Sequence, residues 1–83
     1  MLTAQQVRAA RALLGWKQED LAKKAKIGLA TIQRLERGSG PLMAQVSTAV
    51  KIESCLKDAG VSFIDGEGDR GEGVRLEKSK KQS

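Results

Sequence analysis

The chain contains no histidine, no tyrosine and one cysteine, Cys55, in 83 residues. A single cysteine cannot close an intramolecular disulfide, and without histidine it cannot assemble the Cys and His ligands of a zinc site. The sequence also shows no activated nucleophile and no acid and base pair of the kind that catalysis requires. We therefore expect a protein that is not an enzyme and that binds no metal and no cofactor.

Long hydrophobic runs are also lacking. No apolar stretch approaches the roughly 20 residues of a membrane-spanning helix, and the chain does not open on a basic stretch followed by an apolar run. Because there is one tryptophan and one phenylalanine, the core must consist of Leu, Ile, Val and Ala, which suits small helices. These features predict a cytoplasmic protein with no membrane partner.

Positive charge is concentrated in the first half of the chain. The formal net charge is +5, and residues 1–38 hold eight Lys and Arg against three acids. Residues 39–83 hold seven of each sign. An excess confined to one segment indicates a surface that faces phosphates, although charged helix faces are often only solvated.

A helix-turn-helix pattern occupies residues 18–37. In its first part, one helical face carries the apolar residues Leu21, Ala22 and Ala25. In its second part, the apolar residues Ile32 and Leu35 are three positions apart. Two short amphipathic helices separated by a brief break pack against each other at a steep angle. We expect one helix from about Gln18 to Ala25 and a second over about 29–37, with Gly38 as its stop.

Several spaced residues of this segment agree with one family at once. The run Gln18-Glu19-Asp20-Leu21-Ala22, the pair Thr31-Ile32 and the closing Glu36-Arg37-Gly38 resemble the DNA-binding domain of the Cro and C1 repressors, the XRE type. The resemblance covers roughly residues 7–38. It implies a mainly α, lambda-repressor-like helical bundle that binds double-stranded DNA, with the second helix of the motif in the major groove.

The resemblance also implies which residues contact DNA. Arg34 can donate two hydrogen bonds to a guanine and Gln33 can pair with an adenine, whereas Leu29 and Ala30 offer only apolar contact. Gln18 is expected to bind phosphate and to brace the recognition helix. The alternative for Gln33 and Arg34 is a solvated helix surface. The full set of expected DNA contacts is Lys17, Gln18, Lys26, Leu29, Ala30, Thr31, Gln33, Arg34 and Arg37, with Lys23 and Lys24 as further phosphate candidates.

Other residues are expected to be structural. Arg11 and Glu36 resemble the family's ion pair between the first helix and the recognition helix, and breaking it would strand a charge. Trp16 is expected to anchor the turn between helices, and Cys55 to provide packing volume. The contact between the helices of the motif is expected to be filled by Ala22, Ile32 and Leu35.

Three residues depart from the family pattern. Lys17 stands where a Ser or Thr cap is usual, Lys26 replaces the turn glycine, and Gly28 replaces the Ser or Thr that opens the recognition helix. Each departure costs on the order of 1 kcal/mol or less, which leaves the fold intact. The recognition helix begins with Gly28-Leu29-Ala30, which is unusually apolar for a base-reading edge. An apolar helix edge can instead bind a protein, as an antiactivator or an antitoxin does.

The segments on either side of the motif complete a domain over residues 1–60. Thr3 and Gln6 predict a capping box at the start of a helix that runs to about Leu14. Residues 42–59 have helical spacing and form one helix or two. Their apolar positions are Val46, Ala49, Val50, Ile52, Leu56 and Ala59.

The last part of the chain changes to strand-like spacing. Val61–Ile64 and Gly73–Leu76 are rich in strand formers and are separated by a loop of glycines and charges, which predicts a β-hairpin over 61–77. An isolated hairpin is marginal in water, so it must pack on the helices or pair with a second chain, and it is a possible dimerisation element. Residues 78–83 are expected to be a basic, disordered tail.

The leading interpretation is a sequence-specific, DNA-binding transcriptional regulator, most simply a repressor that binds a pseudo-palindromic operator as a homodimer. The alternative is a helix-turn-helix module that docks on a protein partner. The two interpretations differ at Arg34, on which DNA reading depends, and at Leu29, on which protein docking depends.

Overall fold

Four helices and a two-stranded hairpin form the fold in the computed structural model, which describes residues 2–77. In chain order the elements are α1 (Ala4–Leu14), α2 (Gln18–Ala25), α3 (Leu29–Glu36), α4 (Val46–Asp58), β1 (Val61–Ile64) and β2 (Gly73–Leu76). The predicted fold class, mainly α with a C-terminal hairpin, is confirmed. The predicted tail over 78–83 lies outside the described residues. Within residues 2–77, no helix is long and apolar enough to cross a membrane.

The helix α1 begins at the predicted capping box. The Gln6 backbone N–H donates a 3.1 Å hydrogen bond to Thr3 Oγ1, and the Thr3 N–H donates a 2.9 Å bond to Gln6 Oε1. This reciprocal pair satisfies two N–H groups that a helix start otherwise leaves unpaired. At the other end Gly15 adopts the left-handed conformation, with φ 71°, which glycine reaches without steric penalty.

The three departures from the family pattern lie at helix ends. At the start of α2 the Lys17 N–H donates a 2.8 Å hydrogen bond to the Asp20 carboxylate, so an acid three residues on takes part of the capping role. Lys26 ends α2 at φ 59°, a left-handed conformation that costs a non-glycine residue about 1 kcal/mol. Gly28 precedes α3 with no side-chain cap. The motif therefore tolerates all three substitutions.

The structure corrects the predicted end of α3 and decides whether residues 42–59 form one helix or two. α3 ends at Glu36, one residue before the expected end, and its C-cap Arg37 is right-handed with φ −69°. Gly38 follows the helix but does not adopt the left-handed conformation of a typical glycine stop. Hydrogen bonds from Arg8 on α1 hold this end instead. Residues 42–45 are not helical, and the segment 42–59 therefore contributes one helix, α4.

Only part of the predicted apolar set on α4 faces the core. Ile52 and Leu56 are fully buried, whereas Val46 is 80% exposed and Val50 is 53% exposed. α4 packs against α2 and β1 through the side that carries Ile52 and Leu56, whereas Val46 and Val50 lie one turn apart on a side that stays exposed. Val50 is two residues before Ile52, which places the two side chains on nearly opposite sides of an α-helix, so the predicted apolar set does not form one face.

The hydrophobic core joins all four helices to β1. Trp16 and Cys55 are half-buried and pack against it. Full burial of a Leu or Ile side chain contributes about 1.5–3 kcal/mol, so the large buried side chains dominate the stability. The buried core residues are Val7, Ala10, Leu21, Ala22, Ala25, Ile32, Leu35, Ile52, Leu56 and Val61.

The hairpin is antiparallel and packs on the helices of its own chain. Val61 pairs with Leu76 and Phe63 with Val74. Val61 is buried, and Phe63 and Val74 pack against the core. The side-chain amide of Gln6 donates hydrogen bonds to the carbonyls of Gly73 (2.9 Å) and Ile64 (3.3 Å). Packing on α1 and α4 therefore removes the need for a second chain to stabilise the hairpin.

Candidate nucleic-acid interface

The two helices of the motif are joined by a tight turn over apolar contacts. The Ile27 N–H donates a 2.9 Å hydrogen bond to the Ala22 carbonyl, which closes the turn that Lys26 begins. Ala22 on α2 and Ile32 and Leu35 on α3 are buried in the common core. Because alanine is small, the two backbones approach closely, and the recognition helix is fixed relative to α2.

α3 presents one exposed face opposite its buried one. The residues Ala30, Gln33, Arg34 and Arg37 are all exposed. Their spacing of three and four residues places them on one side of the helix. Arg34 and Gln33 therefore lie side by side on a surface that is open to a ligand.

Leu29 and Thr31 are less available than the resemblance implied. Both are half-buried, and Leu29 packs against the hydrophobic core. The first turn of α3 therefore presents less free apolar surface than the sequence Gly28-Leu29-Ala30 suggested. Leu29 contributes to the packing of α3 as well as to its edge.

Exposed lysines lie on α2 and at its two ends. Lys17 precedes α2 and Lys26 follows it, so they lie at opposite ends of the helix. Lys23 and Lys24 are exposed in its last turn. The Lys24 Nζ lies 5.3 Å from the centroid of the Trp16 ring, which is within the range of a cation–π interaction.

Gln18 links the two helices of the motif. It is half-buried in the first turn of α2, and its side-chain Nε2 donates a 3.1 Å hydrogen bond to Glu36 Oε1. This contact holds the start of α2 against the end of α3. The bracing role that the resemblance implied for Gln18 would use this hydrogen bond.

Glu36 is the buried centre of this network, with 3% of its side chain exposed. Arg11 grips its carboxylate in a fork, with Nε at 2.7 Å from Oε2 and Nη2 at 2.7 Å from Oε1. The Arg11 Nη1 also donates a 3.0 Å bond to the Trp16 carbonyl. A bidentate Arg–carboxylate pair is among the strongest polar contacts in proteins, so α1 is joined firmly to α3.

Arg8 also contacts the end of α3, and the sequence analysis did not predict this role. Its Nη1 donates hydrogen bonds to the backbone carbonyl of Glu36 and, at 2.9 Å, to that of Gly38. The available signal was its position three residues before Arg11, which places both guanidinium groups on one side of α1. Two arginines of α1 therefore hold the C-terminal end of the recognition helix.

Cys55 is half-buried on α4 and is not part of this surface. Burial raises the pKa of its thiol above the ordinary value, more strongly than the nearby Lys24 ammonium lowers it. A thiol with a raised pKa is protonated and weakly nucleophilic near neutral pH. Cys55 acts as packing volume.

Two helices at a tight turn, with exposed Arg34 on the second helix and exposed Arg37 at its end, define a helix-turn-helix protein of the DNA-binding class. The family model for helix-turn-helix domains of the Cro/C1 type, the XRE family, matches residues 7–57, which is more than half of the chain. The chain belongs to this family, and it is a DNA-binding helix-turn-helix regulator. A search of curated proteins found no match.

Proposed function

We propose that the protein is a transcriptional repressor that reads a specific, pseudo-palindromic operator as a homodimer. The exposed face of α3 supports the proposal most directly, because it carries Gln33 and Arg34 side by side. Arginine reads guanine through O6 and N7, and glutamine reads adenine through N6 and N7, each with about 1–3 kcal/mol of discrimination. Ala30 on the same face suits contact with a thymine methyl group.

Phosphate contacts are assigned to the rim of this face. Lys17 and Lys26 lie at the two ends of α2, and Arg37 follows the last turn of α3. Gln18 has a second amide hydrogen that remains able to meet a phosphate while the first is donated to Glu36. Each phosphate neutralised by a cation steepens the dependence of affinity on salt by about 0.9 in logarithmic slope.

A homodimer is proposed because one copy reads too few base pairs for a unique site. Two copies related by a two-fold axis would place their recognition helices about 34 Å apart, in successive major grooves. The most exposed apolar side chains support α4 as the contact: Val46 and Val50 lie one turn apart, and Met43 is 79% exposed. Met43 and Arg34 line the same surface depression, so this contact would adjoin the DNA-reading face.

Repression is the simplest consequence of such a complex, since a dimer on an operator that overlaps a promoter obstructs polymerase. A regulator of this kind acts in the compartment that contains its DNA. We retain the predicted cytoplasmic location on that basis.

The proposal is tested by selecting duplexes from a random library with the purified full chain, followed by fluorescence anisotropy across a salt series. We expect a selected site with two inverted half-sites, bound at least about 1000-fold more tightly than random duplex. Weak binding to every duplex, lost at physiological salt, would show a basic surface without sequence reading and would contradict the proposal.

The protein-docking alternative has less structural support than it had from sequence. It relied on an exposed apolar edge at Leu29, and that side chain is half-buried against the core. The same experiment decides between the two functions, because docking on a protein predicts no selected DNA site.

A further inference from the structure

Arg8 touches the backbone on both sides of Arg37, where the recognition helix ends. Its Nη1 donates to the carbonyl of Glu36, the last residue of α3, and to the carbonyl of Gly38, two residues further on. Arg8 itself is half-buried on α1. The guanidinium therefore bridges the last helical residue and the chain that leaves the helix.

This end of α3 needs such a partner. The last carbonyls of a helix have no partner within the helix, and many helices satisfy them with a left-handed residue and its N–H groups. Here Arg37 is right-handed, and its N–H donates only to the Arg34 carbonyl. A cation is also favoured there by the helix dipole. Arg8 supplies both a donor and a positive charge.

The chain that follows α3 is fastened to the start of α1 as well. The Ala4 N–H donates to the Gly40 carbonyl at 3.0 Å, and the Gly40 N–H donates to Gln5 Oε1 at 2.8 Å. The Leu42 N–H then donates to the Leu2 carbonyl at 2.9 Å. Arg8 is thus the first in a series of contacts by which α1 guides the chain out of the recognition helix.

We propose that Arg8 is a positioning residue for DNA recognition, which fixes the C-terminal end of α3 against α1 and so sets the direction in which Arg34 projects. The inference rests on the proposed operator binding. It differs from the role of Arg11, because Arg11 neutralises the Glu36 carboxylate whereas Arg8 holds only backbone carbonyls. Removing Arg8 leaves the buried Arg11–Glu36 pair intact.

Three roles for Arg8 predict different results in Arg8→Ala, measured on a selected operator and on random duplex. Positioning predicts about tenfold weaker operator binding, with random-duplex affinity within twofold and an unchanged salt slope. A phosphate contact predicts equal weakening on both duplexes and a slope reduced by about 1. A role in stability alone predicts a lower melting temperature with unchanged affinity well below it. The last two results would overturn the proposal.

Two further variants control for charge and for folding. Arg75→Ala removes the same charge from an exposed site on β2. It should change the affinity for the operator and the affinity for random duplex by no more than twofold. Arg8→Lys keeps the charge but shortens the reach by one atom, so it should recover at most part of the operator affinity. Full recovery would assign Arg8 to charge rather than to position. If Arg8→Ala does not fold, the same affinities are measured with Arg8→Lys instead.

Amide hydrogen exchange tests the same contact without DNA. The N–H groups of Arg37 and Gly40 are hydrogen-bonded at the end of α3. We expect Arg8→Ala to accelerate their exchange at least about fivefold relative to the amides of Ile52 and Leu56 in α4. Unchanged exchange would overturn the role of Arg8. Failure of the unaltered protein to select any operator would instead refute the proposed function, so the two failures are read separately.

Discussion

Gln18 and Glu36 are joined by a 3.1 Å hydrogen bond from the side-chain amide of the first to the carboxylate of the second. Gln18 lies in the first turn of α2 and Glu36 in the last turn of α3. Because the same carboxylate accepts two bonds from Arg11 on α1, three helices meet at one buried group. Polar contacts therefore hold α3 against α1 and α2 in addition to the apolar core.

Gln18→Glu tests this junction directly. The change replaces an amide donor by a carboxylate that faces the carboxylate of Glu36, and we expect the free energy of unfolding to fall by about 1.5–3 kcal/mol. Urea unfolding followed by circular dichroism measures it. Gln33→Glu introduces the same charge at an exposed position of α3 and should change stability little. An equal loss in the two variants would show that net charge, not the junction, is responsible.

Glu36→Ala should be the most destabilising of these changes. It leaves the Arg11 guanidinium without its carboxylate, and removing one partner of a buried pair costs about 3–5 kcal/mol. Since the Arg11 side chain is 19% exposed, water screens part of the loss and the lower end of that range is expected. The comparison is Glu53→Ala, which breaks the exposed Glu53–Lys57 pair on α4 and should cost about 0.3–0.5 kcal/mol. Similar losses would exclude a special role for the buried pair.

Arg34→Lys separates bidentate base reading from charge. Lysine keeps the positive charge but cannot present the planar fork that matches guanine O6 and N7. We expect operator affinity to fall by about 1–3 kcal/mol while affinity for random duplex and the melting temperature stay the same, because Arg34 is exposed. Anisotropy on operators with each base pair of the half-site changed would locate the lost preference. A uniform loss over all positions would assign Arg34 to phosphate contact instead.

Lys26 combines backbone strain with a charge, and two substitutions separate them. Lys26→Gly relieves the left-handed conformation and should gain up to about 1 kcal/mol of unfolding free energy, reduced by the entropy that glycine loses on folding. Lys26→Ala removes the same charge and keeps the strain. Both should lower the salt slope of DNA binding by about 1 if Lys26 contacts a phosphate. Equal stability of the two variants in urea would show that the turn stores no strain.

Much of the fold could be predicted from signals between residues that are close in the sequence. The capping box of Thr3 and Gln6, the turn at Lys26 and both strands of the hairpin follow from neighbouring residues, and the structure places them where the sequence indicates. Such signals are sufficient because each depends on spacing within one or two turns of chain.

What sequence could not supply were contacts between residues that are distant in the chain. The Arg8 bridge to Gly38 spans thirty positions, and no local pattern marks a backbone carbonyl as its acceptor. Which side of α4 is buried depends on where α2 and β1 pack, and Val46 lies on a side that stays exposed. Leu29 likewise differs from expectation because its burial is set by the core beneath α3. Tertiary packing decides each of these three cases.

The proposed dimer contact on α4 gives the last test. Val46→Glu introduces a charge at a position where the native side chain is 80% exposed. The free energy of unfolding should therefore change by no more than about 0.5 kcal/mol. Binding to a duplex with two half-sites should lose its cooperativity, while binding to a single half-site should be unchanged. The matched variant is Leu76→Glu, at a residue of β2 that is 46% exposed, which would break a dimer formed through the hairpin edge. If Leu76→Glu alone abolished cooperativity, the two-fold axis would pass beside β2 and not beside α4, because a charge buried at a symmetric contact is met by its own copy and repelled.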